Sequence, residues 1–378
     1  MASSTGTGSS DIINKVGAPG EVRAALEGAK RIDAYTHFCC EEFVAYMEEQ
    51  SGKPMVFRGL FSRIPELTDI EARIRYMDDH GIDVHCLVPL PWLESEPALH
   101  ADAAKAEQAC KVANDAMAKL VASHPGRFVG VALIPTTTEE VMVRETERAV
   151  MELGLAGVAM FVGPTAKPPD DASFEGLYRR CEALGAVIWV HPCRPQWYAD
   201  YDAYKGRGGS LHQLWNTFGW IYDTSVAMVH IVLAGVFQRY PELKVVSHHH
   251  GGMVPFFTER FNTQMKNFNQ EGAEDLMADL HKFYCDTATF GTNTANIQAA
   301  IDFFGLERVL FGTDTPMDMG QRGYFTTTTK ESVEGLGISD DAKEDIYHRN
   351  VARMLGVQGR QSTAAESPAT SRPPSGRL

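Results

Sequence analysis

A chain of 378 residues, 44% hydrophobic and 22% charged, has the composition of an ordinary globular protein and room for one large domain or two average ones. Its formal net charge of −14 lacks the basic footprint of a nucleic-acid binder. No run approaches the ~20 consecutive apolar residues of a membrane span.

The opening MASSTGTGSS has neither a basic nor an apolar leader region, and the seven scattered cysteines form no Cys-x-x-Cys pair. The expectation is a cytoplasmic protein with reduced thiols. Residues 1–10 are rich in Ser, Thr and Gly, and residues 359–378 are rich in Ser, Pro and Ala. Neither segment has enough to bury to offset its ordering entropy, so both read as disordered tails. No comparable linker interrupts residues 11–358, which are expected to form one domain.

Within that domain short apolar runs alternate with helical patterns. The expected strands are Arg31–Tyr35, Val84–Leu90, Phe128–Leu133, Gly157–Phe161, Ala186–His191, Lys244–His248, Lys282–Asp286 and Arg308–Gly312. Helices are expected over Ala101–Ser123, Glu139–Leu153, Phe174–Leu184, Val254–Asn267 and Asn293–Phe304. Eight βα repeats predict an α/β fold of the (β/α)8 TIM barrel type rather than an open doubly wound sheet. No Gly-x-Gly-x-x-Gly follows the first strand, which removes the dinucleotide-binding alternative. Between the fifth and sixth strands lies an aromatic-rich helical insertion of about residues 198–240. Its apolar content is expected to cover a dimer partner, the active-site mouth or both, so a homodimer is predicted.

Polar residues gather where these strands end. The first runs into Tyr35-Thr36-His37, the fifth into His191-Pro192, the sixth into His248-His249-His250, and the eighth into Thr313-Asp314. Residues two apart in a strand share a face, so Tyr35 and His37 point the same way. The C-terminal strand ends of a barrel converge on one site, which would bring His37, His191 and Asp314 together. Two imidazoles and a carboxylate suit one zinc, manganese or similar divalent ion with open positions for water or substrate.

Several segments in order now resemble a known family. RIDAYTH, MDDHGIDVHCLVP, HPGRFVGVALIP, ELGLAGVAMF, IWVHP, VVSHHHGGMVPFFTERF, FYCDTATF, RVLFGTDTPMD and IYHRNVARMLG together span most of residues 31–356. The set resembles the amidohydrolase superfamily, in particular the amidohydrolase-2 group that includes aminocarboxymuconate semialdehyde and γ-resorcylate decarboxylases. The resemblance places His37, His191 and Asp314 on metal-ligand positions. It also implies a catalytic histidine six residues before a proline. Pro255 then selects His249 as the proton-transfer group, with Asp314 as a second proton-handling candidate. Arg260 falls on an arginine that commonly follows this segment and is a candidate substrate contact.

One position departs from the family pattern. Relatives carry His-x-His or Glu-x-His at the end of the first strand, whereas this chain has Tyr35. Tyr35 can be read as a weak or absent ligand, as a phenolate ligand, or as a hydrogen-bond donor to substrate. Loss of the metal altogether is a fourth reading. Arg194 could hold a substrate carboxylate, against the bland reading of a surface ion pair. Trp189 could wall an aromatic substrate, against simple packing. Asp286 and His248 read as groups behind the ligands or as structural residues.

The resemblance implies a carboxy-lyase: a metal-dependent, non-oxidative decarboxylase of an aromatic or unsaturated acid with a neighbouring hydroxyl or amino group. The small-molecule substrate itself is not specified. A mononuclear hydrolase of an amide, lactone or C–C bond is the alternative on the same scaffold. GVAMFVG on the fourth strand offers no lysine for a carbamate-bridged metal pair, so one metal is expected. A non-catalytic barrel binding a ligand or partner through 198–240 is the reading from outside enzymology.

Overall fold

A computed structural model describes residues 20–55, 58–91, 99, 101–163, 166–193, 212–268, 273–288, 290–318 and 320–357. The segments 1–10 and 359–378, Arg194, and residues 198–211 of the expected insertion lie outside the described residues.

Among the described residues nine strands follow one another: β1 (Ile32–Phe38), β2 (Val84–Pro89), β3 (Phe128–Gly130), β4 (Ala132–Leu133), β5 (Gly157–Val162), β6 (Val187–Pro192), β7 (Lys244–Ser247), β8 (Tyr284–Asp286) and β9 (Val309–Leu310). Chain neighbours pair in parallel within β1-β2-β3 and within β4 through β9. The expected third strand is thus split. At the break, Val131 N–H donates to Leu87 O at 3.1 Å and Ala156 N–H to Gly130 O at 2.9 Å, so the ladder passes through it. The other seam closes too. Ala34 N–H donates to Phe311 O, His37 N–H donates to Thr315 O, both at 2.8 Å, and Thr36 pairs with Thr315. With β3 and β4 as one stave, eight parallel staves form the predicted (β/α)8 barrel.

Strands buried on both faces read as continuous apolar runs, and β2, β5 and β6 are buried at every position. Alternation then sorts the side chains. Val158, Met160, Ile188 and Val190 pack with residues of the surrounding helices, such as Tyr178 and Cys181. Ala159, Phe161, Trp189 and Val246 pack with one another inside the barrel. Gly157 lets two staves approach: a Cβ there would lie 2.0 Å from Val187 O. The register pairs Gly157 with Val187, which sets the position of His191 four residues further along β6.

The helices follow the expected pattern closely. Ala103–Ser123 is capped by Asp102, whose carboxylate accepts from the N–H groups of Ala104 and Lys105. Glu139–Glu147 continues as a π turn over Arg148–Glu152. The expected helices Phe174–Leu184 and Asn293–Phe304 are observed as Glu175–Leu184 and Thr294–Phe304. The helix expected from Val254 begins with a 3-10 turn at Pro255 and runs as α-helix over Thr258–Phe268.

The described part of the 198–240 segment changes that reading. Its helix Trp220–Leu233 buries Ala227, Met228, Ile231 and Val232 in the same cluster as Ile188 and Val190. This is the crossover helix that any barrel needs between β6 and β7. Its mean apolar character is high because one face packs on the barrel while Tyr222 and Leu233 remain 46% exposed on the other. Among the described residues no helix is long and apolar enough to cross a membrane.

Candidate metal centre at the barrel mouth

The inward parity of the strands assembles a buried polar cluster at their C-terminal ends. β1 sends Tyr35 and His37 inward, β6 sends Trp189 and then His191, and Val246 of β7 is followed two residues later by His248. Asp314 arrives from the segment after β9. Ligating atoms of His37, His191 and His248 all lie within 4.8 Å of one another, as do those of His248, His249 and Asp314. His37 Nε2 is 2.9 Å from Asp314 Oδ1, and His248 Nε2 is 3.3 Å from the same oxygen. All five side chains belong to residues at most 6% exposed.

Partners behind the rings orient them. His37 Nδ1 lies 3.1 Å from Val88 O. A carbonyl only accepts, so this nitrogen carries a hydrogen and Nε2 is the atom that faces the cluster. His248 Nδ1 donates to Asp286 Oδ2 at 2.5 Å, leaving its Nε2 likewise directed at Asp314. The other oxygen of Asp286 accepts from the N–H groups of His249 and Ala288. Beneath them Asp33 ties β1 to the segment after β9. Its carboxylate accepts from Thr313 N–H at 3.1 Å and Thr313 Oγ1 at 2.5 Å.

The electrostatics follow from burial and these contacts. Burial opposes ionisation of Asp314, yet His248 and His37 hold its carboxyl well below the usual carboxylate range. Asp286 is also lowered, against burial, mainly by His248. Burial disfavours charge on His248, but Asp286 and Asp314 outweigh it and raise the ring to about 9. Burial and then the His248 charge push His249 down to about 3. Burial, with His37 and His248 adding, lowers His191 well below its ordinary value.

Backbone strain concentrates here. Asp314, His249, His250 and Phe290 adopt φ of 64°, 52°, 58° and 56°, a region costly for residues with a Cβ. The turn brings His249 back over the cluster, its ring stacked on His248 at 3.6 Å between centroids. Phe290 meets the His249 ring edge-on at 5.0 Å.

The remaining candidates are distributed unevenly. Tyr35 is fully buried, and its hydroxyl donates to Val190 O at 2.7 Å. Its ring stacks on His248 at 3.9 Å and 7° between planes. Burial, then Asp286 and Asp314, push the phenol well above its ordinary value, so it stays neutral. Trp189 is fully buried in the barrel, with Nε1 donating to Ala34 O at 3.1 Å. Asp286 stands directly behind His248. Arg260 is exposed and lines an outer apolar groove with Tyr222, Val229, Phe257 and Phe261, a groove that none of His37, His191, His248 and His249 lines. Arg194 lies outside the described residues.

Spacing to Pro255 directs attention to His249 and leaves His248 behind the site. Strand alternation carries the missing signal. Continuing the inward parity of Val246 selects His248, whose ring reaches the cluster directly.

The donor set fits a divalent ion. The Nε2 atoms of His37 and His248 converge on a carboxylate oxygen of Asp314 among buried side chains. His37 Nε2, facing that oxygen at 2.9 Å, has no hydrogen-bond partner. Two facing acceptors are repulsive unless a proton or cation lies beside both, and about 3 Å is the spacing of two atoms that each sit ~2.1 Å from one ion.

A parallel barrel with a His/Asp cluster at its C-terminal mouth defines a broad class of enzymes. The particular family is shown by its model, described as Amidohydrolase, which matches residues 32–357. The chain belongs to that family. It is 32% identical over 274 residues to γ-resorcylate decarboxylase of Polaromonas sp. (strain JS666), covering 68% of this chain and 80% of that one. It is 28% identical over 307 residues to 2-amino-3-carboxymuconate-6-semialdehyde decarboxylase of Dictyostelium discoideum, covering 76% and 77%. Among solved structures, a dihydroxybenzoic acid decarboxylase from Polaromonas sp. JS666, with bound manganese and the inhibitor 2-nitroresorcinol, matches with a TM-score of 0.69. The identity is 27%, over 86% of this chain and 97% of that one.

Proposed function

We propose that this chain is a carboxy-lyase, a metal-dependent non-oxidative decarboxylase of an aromatic or unsaturated carboxylic acid with a hydroxyl or amino group beside the carboxylate. The observation that carries the reading is a buried cluster at the barrel mouth in which His37 and His191 group with His248, and His248 in turn groups with His249 and Asp314. The decarboxylase relatives and the manganese in the matched structure support it. Manganese or zinc suits this nitrogen and oxygen donor set. Bound there, the ion supplies Lewis acidity and a template for the carboxylate and its neighbouring oxygen.

The chain's own groups handle the proton. His249 is neutral because burial disfavours its charged form, so its ring starts as an acceptor. It takes a proton at the mouth and delivers it to the carbon that bears the carboxylate. The C–C bond then breaks, CO2 leaves, and the bonding pair restores the unsaturated system. Asp314, kept ionised, favours the protonated form of an adjacent ring during this transfer. Phe290, against the His249 ring, provides an apolar wall that holds water away.

The test is CO2 release from a panel of hydroxy- and aminobenzoates by protein loaded with Mn2+ or Zn2+, beside amide and lactone hydrolysis. Decarboxylation of a member of the panel is expected, with His249→Gln lowering kcat about 10²–10⁴-fold. Hydrolysis without CO2 release overturns the reaction. Failure to bind either ion overturns the metal reading. We further propose a cytoplasmic homodimer joined through the apolar outer face of Trp220–Leu233 with Phe256 and Phe257, both 45% exposed. Sedimentation velocity at micromolar concentration is expected to show a dimer.

A further inference from the structure

We propose that His248 is itself a ligand of the metal ion in this chain, completing a shell from which Tyr35 is absent. The inference rests on the metal reading above and deepens it.

Tyr35 occupies the position from which the family pattern would supply a ligand two residues before His37. Here its hydroxyl is committed to Val190 O at 2.7 Å, and its ring lies flat beneath His248. A phenol that gives its hydrogen to a backbone carbonyl of β6 keeps that hydrogen and is not the phenolate a ligand position calls for. The coordination position so vacated is open to another donor.

His248 meets each requirement of a ligand. Its ring nitrogen groups with those of His37 and His191 within 4.8 Å, and its Nε2 lies 3.3 Å from Asp314 Oδ1. Metal-bound histidines generally give their other N–H to a carboxylate or carbonyl, which fixes the tautomer and makes the ligating nitrogen more basic. His37 follows that pattern through Val88 O, and His248 follows it through Asp286 at 2.5 Å. His191 keeps a buried Nδ1 without a hydrogen-bond partner, and of the two adjacent histidines His249 departs from the pattern, since Asp286 accepts its backbone N–H and not its ring. The two adjacent histidines thus divide the work, with Tyr35 as the platform that holds His248 in place.

The experiment loads the full chain with Co2+ and counts paramagnetically shifted, exchangeable imidazole N–H signals by proton NMR. Three are expected, from His37, His191 and His248, and three remain in H249Q. Two signals in the wild type, or loss of one in H249Q, overturns the proposal while leaving the metal reading intact. Mn2+ titration supplies the second readout. H248Q is expected to weaken binding by at least about 100-fold and D286N by about 10–100-fold. H249Q should stay within about threefold of the wild type. Full Mn2+ affinity in a folded H248Q overturns the assignment. Should H248Q not fold, the wild-type signal count and D286N decide. A wild type that binds neither ion overturns the underlying metal reading as well.

Discussion

Tyr35→Phe separates an anchoring phenol from a ligating one, because it deletes a single oxygen and keeps the ring that stacks on His248. The structure gives that oxygen one partner, Val190 O, in a fully buried setting. Its removal costs one net hydrogen bond, about 1 kcal/mol, and leaves a buried carbonyl short of a donor, so the expected loss is about 1–2 kcal/mol. Unfolding entropy near 2.1 cal/mol/K per residue gives roughly 0.7 kcal/mol/K for a folded body of about 340 residues. The metal-free variant should therefore melt about 1.5–3 °C below the wild type by calorimetry. Mn2+ affinity, measured on the same samples, should be unchanged within about threefold. A tenfold or greater loss of affinity with an unchanged melting temperature would refute the reasoning, since it would make the phenol oxygen a ligand.

Two further outcomes follow from buried positions outside the candidate ligand set. Gly157→Ala places a Cβ 2.0 Å from Val187 O and 2.6 Å from Val187 N, both backbone atoms, so β5 and β6 must separate. The expected cost is at least the upper end of overpacking, about 3 kcal/mol, read as a lower melting temperature or loss of soluble protein. An unchanged melting temperature would count against the register described for this pair. Burial raises the Asp223 carboxyl to about 7, and its Oδ2 has no hydrogen-bond partner. A carboxyl raised in the folded state binds its proton more tightly there than in the unfolded chain. Its contribution to stability is therefore full below about pH 4 and is lost as pH rises through about 7. Asp223→Asn should flatten that part of the denaturation-midpoint profile and gain on the wild type at pH 8. Parallel profiles for the two proteins would remove Asp223 as the cause.

Much of this architecture is determined by the sequence itself. A parallel stave buried on both faces must be apolar throughout, so GVAMF and VIWV declare themselves without knowledge of their neighbours. The spacing of those runs, with helical patterns between them, is enough for eight βα units. Polar residues such as His37, His191 and Asp314 stand out because they interrupt apolar strands at one end only. The helix Trp220–Leu233 is ambiguous from sequence alone. A crossover helix with one exposed apolar face and an added covering element have the same composition, and only its packing against Ile188 and Val190 tells them apart.

The distinction between adjacent histidines belongs to tertiary structure. Spacing from Pro255 points to His249, while parity along β7 points to His248, and no local rule says where the strand stops alternating. That is settled by Asp286 on the neighbouring strand, which takes the ring of His248 and the backbone of His249 with its two oxygens. The role of Tyr35 is equally non-local. Its residue type leaves a phenol free to ligate, donate or anchor, and the choice depends on a carbonyl 155 positions away in β6. Local sequence sets which groups arrive at the mouth of the barrel, because strand period and burial are local properties. Which way each group faces, and what holds it there, depends on partners brought together only when the sheet closes.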